Sequence, residues 1–342
     1  MTAELAPSRA VGVDHVGDGA AAPIFVAGPD RSGTTLMFAL LASHPDLSMV
    51  RRTNMWRYFH DRYGDLRDPA NLDRCLADMT SYRRMRHLEP DEVRIREEFA
   101  RGTPSYGRLF TLFHAHHATR AGRSRWGDKS LHTEHYADRV FAEFPDARVV
   151  HMVRDPRDRY ASVRRRHEGE RAHVGSATGR WWSSTRAGRR NQARHPDRYL
   201  LVRYEDLVSD PEATMRDVCG FVALEYDPDM LTMRGASEHL DRGGNNSSFG
   251  DLETARISTR AVGRFHQVLS PSELMFIQLV AGHEMRAAGY DLAPEDLSLL
   301  TRALGYASVP SEAARFGAWI VTDWRRRRRG VPVSAPKHRD RA

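Results

Sequence analysis

Hydrophobic positions along the chain follow two rhythms. Short apolar runs, Ile24 to Ala27, Val149 to Val153 and the run opening at Tyr199, are too brief for helices and predict buried strands. Leu47 to Met55 predicts a further short strand running into a loop. Elsewhere apolar residues recur at helical spacing. Thr34 to about His44 predicts one helix, and Asn71 to Met85 another through Leu72, Cys75, Leu76 and Met79. Helices follow at Pro90 to Ala100, at Pro104 to Thr119 with Thr103 as N-cap, and from Asp210-Pro211-Glu212 to Phe221. The sharpest boundaries enclose Pro271 to Ala288: Ser270 as N-cap, Pro271 at N1, Glu273 at N3 and Gly289 at C′.

The first strand leads into Gly28-Pro29-Asp30-Arg31-Ser32-Gly33-Thr34-Thr35. A strand that breaks into a glycine loop and re-enters as a helix aims unpaired N–H groups and a positive dipole end at one point, which makes a phosphate cradle. Gly28 and Gly33 have the G-x-x-x-x-G spacing of a P-loop, but Thr34 stands where a nucleotide triphosphatase carries Lys, and Arg31 sits on the loop instead. An ordinary strand-to-helix turn is the blander alternative.

Composition narrows the ligand. With 342 residues, 40% hydrophobic and 28% charged, the chain can bury a full core, and no apolar run approaches a membrane span. Residues 1–22 read as a flexible tail without a signal-peptide core, and two distant cysteines, Cys75 and Cys219, give neither disulfide framework nor metal spacing, so a cytoplasmic location is expected. The charge of +7 and the isoelectric point near 9.7 are spread along the chain, favouring a polyphosphorylated small molecule over nucleic acid. Only Lys129 and Lys337 are lysines; a compact ammonium in so arginine-rich a chain marks Lys129 as a candidate site residue.

Two further motifs join the loop. Trp126-Gly127-Asp128-Lys129-Ser130-Leu131-His132 carries that lysine. Val149 to Val153 leads into Arg154-Asp155-Pro156-Arg157-Asp158, with Asp155 as N-cap, Pro156 at N1, Ser162 eight residues after Arg154, and Arg164 to Arg166 as a solvated helix face. An Arg at the carboxyl end of a strand lies where open α/β sheets bind ligands.

Taken together, Arg31-Ser32-Gly33-Thr34-Thr35-Leu36 with Ala42-Ser43-His44-Pro45 resembles the 5′-phosphosulfate loop of sulfotransferases that use 3′-phosphoadenosine 5′-phosphosulfate (PAPS), above all bacterial and tyrosylprotein members. Trp126 to Leu131 resembles the Trp-Gly-Glu-Lys-Thr-Pro segment of the bacterial enzymes, and Arg154 with Ser162 their 3′-phosphate motif. The resemblance covers about Pro23 to Leu292. It implies an α/β fold with a P-loop-like central parallel sheet flanked by helices, a domain over residues 23–304, and a helical insertion at 56–120 over the acceptor site. Arg31 and Lys129 would stand at the leaving phosphate. Ser32, Gly33, Thr34 and Thr35 would cradle it, and Arg154 and Ser162 would hold the 3′-phosphate. Ser247 or Ser248, on the loop 243–250, and Arg264 are implied as further donor ligands.

The chain departs from the family on the segment where relatives place a catalytic Glu, which here reads Arg51-Arg52-Thr53-Asn54; Asp128 and His132 are the nearest candidate bases. No metal is expected. His114 and His117 share a helix face, which is read as solvated rather than metal-binding. Residues 305–342, with Arg325 to Arg329, are expected to form a basic tail. The expected partners are the nucleotide donor and a small-molecule, sugar or lipid acceptor, with a homodimer left open. A P-loop kinase and a basic nucleic-acid-binding protein are the rival classes.

Overall fold

The computed structural model describes residues 22–165, 173–236, 256–293 and 299–329. Five parallel strands, β1 (Ile24–Ala27), β2 (Leu47–Arg51), β3 (Arg125–Lys129), β4 (Arg148–Val153) and β5 (Tyr199–Arg203), form one sheet in the order β2-β3-β1-β4-β5. Chain order reverses direction at β1, which is flanked by β3 and β4, so the mouth of a ligand crevice opens above the carboxyl end of β1.

Helices α1 (Thr34–Ala42), α2 (Met55–Tyr58), α3 (Pro69–Ser81), α4 (Arg83–Arg86), α5 (Glu92–Ala100), α6 (Tyr106–Arg120) and α7 (Ala137–Glu143) precede β4. After it come α8 (Pro156–Arg164), α9 (Val174–Arg194), α10 (Tyr204–Ser209), α11 (Pro211–Phe221), α12 (Phe265–Val268), α13 (Pro271–Ala287) and α14 (Leu299–Arg329). Strand alternation splits the core. Phe25, Val50, Trp126 and Val149 bury one sheet face under the 56–120 helices and α7, while Val26, Met49, Val150 and Met152 bury the other under α1 and α11.

Local chemistry explains the helix starts. Asp155 and Asp210 each accept a first-turn N–H with Pro at the helix start, and Ser270 with Glu273 forms a complete capping box. Ser105, not Thr103, caps α6, accepting from Arg108 N–H.

The structure adds one strand and revises two expectations. The segment Arg125–Lys129 is a central strand that no apolar run announced: Lys129 ends it at the site, while Arg125, at the other end, donates to the carbonyls of Ala22, Val222 and Ala223. The face of α6 that carries His114 and His117 is not solvated: His114 is buried, bonded to the Phe110 carbonyl at 2.7 Å with its ring tilted against Trp126 at 4.5 Å, and His117 is half-buried. Residues 305–329, expected as tail, belong to α14, which packs on α9 and α13. Val309 and Phe316 join the core there, and the Gly175 N–H donates to Glu312 at 2.8 Å. A Cβ on Gly175 would lie 2.0 Å from the Glu312 carbonyl, so the two helices meet backbone to backbone. Residues 1–21 and 330–342, and the loop serines Ser247 and Ser248, lie outside the described residues.

Candidate active site

The loop after β1 has the backbone that its glycines predict. Gly28 (φ +119°) and Gly33 (φ +88°) are both in conformations that L side chains rarely adopt; a Cβ would meet the Met152 carbonyl at 2.4 Å and the Tyr204 ring at 2.7 Å, respectively. Arg31 is also left-handed, with φ 67°. Gly33 caps α1 with no side chain to offer, so the first-turn N–H groups have no side-chain cap. Ser32 is fully buried and its Oγ has no hydrogen-bond partner. Leaving such a hydroxyl unmet costs about 1–3 kcal/mol, which an anion in the cradle would relieve.

Lys129 and Arg154 flank this loop from the neighbouring strands. Lys129 ends β3 in register with Val26, on the α1 side of the sheet, with its Nζ 3.5 Å from Thr35 Oγ1. Burial, and then Arg52 and Arg51, push its ammonium down to about 7. Arg154 follows β4 and is nearly enclosed. Its guanidinium donates to the carbonyls of Arg31 (3.2 Å) and Ala261 (2.6 Å) and lies 4.4 Å from the centre of the Tyr204 ring, while its own carbonyl accepts from the Trp181 indole at 2.7 Å.

The sequence reading assigns Arg31 and Ser162 to opposite ends of the donor, yet the two touch: Arg31 Nε donates to Ser162 Oγ at 2.9 Å. Arg264 is brought to the same end. The Asp158 carboxylate accepts the N–H groups of Gly263 (2.7 Å) and Phe265 (2.9 Å), fastening both flanks of Arg264 to α8.

The two candidate bases part company. Register and alternation put Asp128 on the sheet face opposite Lys129, fully buried beside Thr53 and Ser130; burial raises its carboxyl to about 6. His132, in a left-handed conformation (φ 72°), is only partly buried and lines a cleft with Asp30. Desolvation, then Arg57 and Arg180, hold its imidazole down to about 3. It is therefore neutral in the free protein.

Sequence reasoning passed over the supports. Asp30 is held by Arg159 (2.7 Å) and Arg180 (3.0 Å), and Glu134 accepts from the Gly28 N–H (3.3 Å) and the Ser184 hydroxyl (2.6 Å). The signal was present: a carboxylate within a phosphate loop is repelled by its own ligand unless cations hold it aside. Asp155, the strand-end carboxylate on which a kinase would hold Mg²⁺, is occupied as the α8 cap and in an ion pair with Arg157 at 2.6 Å.

Ligand atoms of His132, Glu134 and His135 all lie within 4.8 Å of one another. No helix among the described residues is long and apolar enough to cross a membrane.

The chain is similar to mouse and human carbohydrate sulfotransferase 2, 32% identical over 108 residues. That is 31% of this chain, and it spans only 20% of those relatives' length. In fold it is similar to the sulfotransferase domain of the Synechococcus PCC 7002 olefin synthase, with TM-score 0.53, 21% identity, and coverage of 81% of this chain and 98% of that one. The sulfotransferase domain from the curacin biosynthetic pathway is similar too, with TM-score 0.52, 18% identity, and coverage of 80% and 99%. Residues 23–228, more than half of the chain, match the model of the Sulfotransferase family, and the chain belongs to that family.

Proposed function

We propose that the protein transfers a sulfuryl group from PAPS to a hydroxyl or amine of a small-molecule, carbohydrate or lipid acceptor, releasing 3′-phosphoadenosine 5′-phosphate (PAP). One observation carries this reading: a partnerless buried Ser32 hydroxyl in a side-chain-free cradle, flanked by Lys129 on one side and Arg154 on the other. Two separated anion sites suit a nucleotide phosphorylated at both its 5′ and 3′ positions better than a triphosphate, whose charge lies in one line.

In the proposed reaction the acceptor oxygen attacks sulfur as the bond from sulfur to the bridging oxygen breaks. The bridging oxygen's electrons stay on the 5′-phosphate of PAP, and the acceptor proton passes to a base. Lys129 and the N–H groups of residues 32–35 meet the charge that develops on the leaving phosphate. Arg154, Ser162, Arg264 and, through its bond to Ser162, Arg31 receive the 3′-phosphate. Of the two candidate bases, His132 opens to the cleft whereas Asp128 is enclosed, so His132 is assigned the proton. The charge to be stabilised is met by these cations without a metal ion, and turnover is expected to survive excess chelator.

Calorimetry tests the reading. The protein should bind one PAP per chain and give no heat with ATP-Mg, and Arg154→Ala should weaken PAP about 10–100-fold. Preference for ATP-Mg would overturn it.

A further inference from the structure

Donor binding leaves the outer face of α14 without a task. From Ala313 to Arg329 the chain carries six arginines, Arg315 and Arg325 to Arg329, against a single acid, Asp323. The helix sorts this stretch by face. Phe316 packs on the core, Trp319 lines the cleft at His132, and Asp323 is 7% exposed and lies 3.0 Å from Arg327. These positions recur every three or four residues, the spacing of one helix face turned inward.

The opposite face is apolar at first and basic at its end. Ala314, Ala318, Val321 (45% exposed) and Trp324 (47% exposed) lie open on it, with the exposed Arg325, Arg326 and Arg328 beside them. Val321, Trp324, Arg325 and Arg328 stand at i, i+3, i+4 and i+7, so they share one surface. A single exposed tryptophan needs no explanation. An outward apolar stripe closing in an arginine cluster is the pattern of a helix that lies in a lipid interface.

Three occupants could meet such a face, and its chemistry separates them. The same face of a second copy brings no acid to these arginines, since Asp323 is buried. Nucleic acid would meet the arginines, but it gains nothing from Val321 and the alanines, and the Trp324 ring on which a base would stack already holds the Arg328 guanidinium 4.2 Å from its centre. An anionic lipid surface uses every part: its headgroups meet the arginines, and the indole and Val321 seat at the boundary with the acyl chains. We propose that the face of α14 bearing Val321, Trp324, Arg325, Arg326 and Arg328 docks the protein on an anionic lipid surface. The docking is peripheral, and it stands or falls independently of the sulfotransferase reading.

The test is sedimentation of the full chain with vesicles of phosphatidylcholine alone or containing about one third phosphatidylserine, at about 0.1 M salt. Binding to the anionic vesicles only is expected. Each basic residue near such a surface strengthens binding about fivefold, so the triple variant Arg325→Gln, Arg326→Gln, Arg328→Gln should weaken it about 100-fold. The corresponding triple Lys variant should keep it, because headgroup attraction needs charge rather than a planar fork. Trp324→Ala should weaken it about fivefold. All three variants should unfold near the wild-type temperature, since the altered side chains lie off the core. No binding to anionic vesicles, or binding equal to wild type in the Gln variant or in Trp324→Ala, would overturn the proposal. Tighter binding to a duplex oligonucleotide than to the vesicles would overturn it in favour of nucleic acid. A dimer that Trp324→Ala dissolves would overturn it in favour of a second copy.

Discussion

The two ends of the candidate site are built on opposite principles. At the Arg154 end, the guanidinium is held by two carbonyls and an aromatic ring, and Asp158 pins the loop bearing Arg264. At the Lys129 end, an ammonium and a carboxyl are buried side by side in sequence but on opposite sheet faces, and both are pushed towards neutrality, to about 7 and about 6. In the proposed reading, the first arrangement fixes geometry before the ligand arrives and would serve affinity. The second holds an ammonium whose burial cost an anionic ligand would relieve, and in that reading it would serve the chemical step.

The largest effect that would break this contrast is at Lys129. Lys129→Ala should lower kcat about 10²–10³-fold while changing PAP affinity little; an equal loss in both would show that the two ends do the same work. Next, Arg154→Lys should weaken PAP about tenfold or more in calorimetry, because a point charge cannot meet two carbonyls and a ring at once. Retained affinity would mean that charge alone suffices.

Smaller effects sharpen the picture. Asp128 has a folded value raised from 3.8 to about 6, so the protonated folded state is favoured. That contribution is fully present below about pH 4 and is lost as pH rises through 6. Asp128→Asn should therefore be about 2–3 kcal/mol more stable than wild type at pH 8 and equal to it near pH 4, as read by urea unfolding. A wild type as stable as the variant at pH 8 would show that Thr53 and Ser130 hold the carboxylate ionised. Last, Lys129 loses its proton near 7 in the free protein, so kcat/KM should fall up to about tenfold between pH 7 and 8. Bound donor favours the ammonium, so kcat should hold to higher pH. Parallel profiles would mean that Lys129 titrates alike with and without donor.

What the sequence revealed follows the physics of each element. Strands β1, β4 and β5 were legible because they are apolar and flanked by turn residues, and α13 because Ser270, Pro271, Glu273 and Gly289 specify both of its ends. Strand β3 was not: Arg-Trp-Gly-Asp-Lys shows no apolar run, with Lys129 at the site, Asp128 enclosed on the other face and Arg125 bonded to carbonyls at the far end, and only its neighbours reveal it as a strand. The α14 helix was hidden by the arginine run at its end, because its docking depends on a close approach at Gly175, distant in sequence. The residues proposed to bind phosphate were legible as motifs. The contact of Arg31 with Ser162, and the opposite facing of Asp128 and Lys129, required the register.

The Asp158 clamp has a kinetic corollary. If Arg264 receives the 3′-phosphate as proposed, a loop fastened to α8 on both its sides needs little ordering when nucleotide docks, and that contact is the same with and without the sulfate. Spent and loaded donor should then reside in the site for comparable times, and turnover should slow as product accumulates.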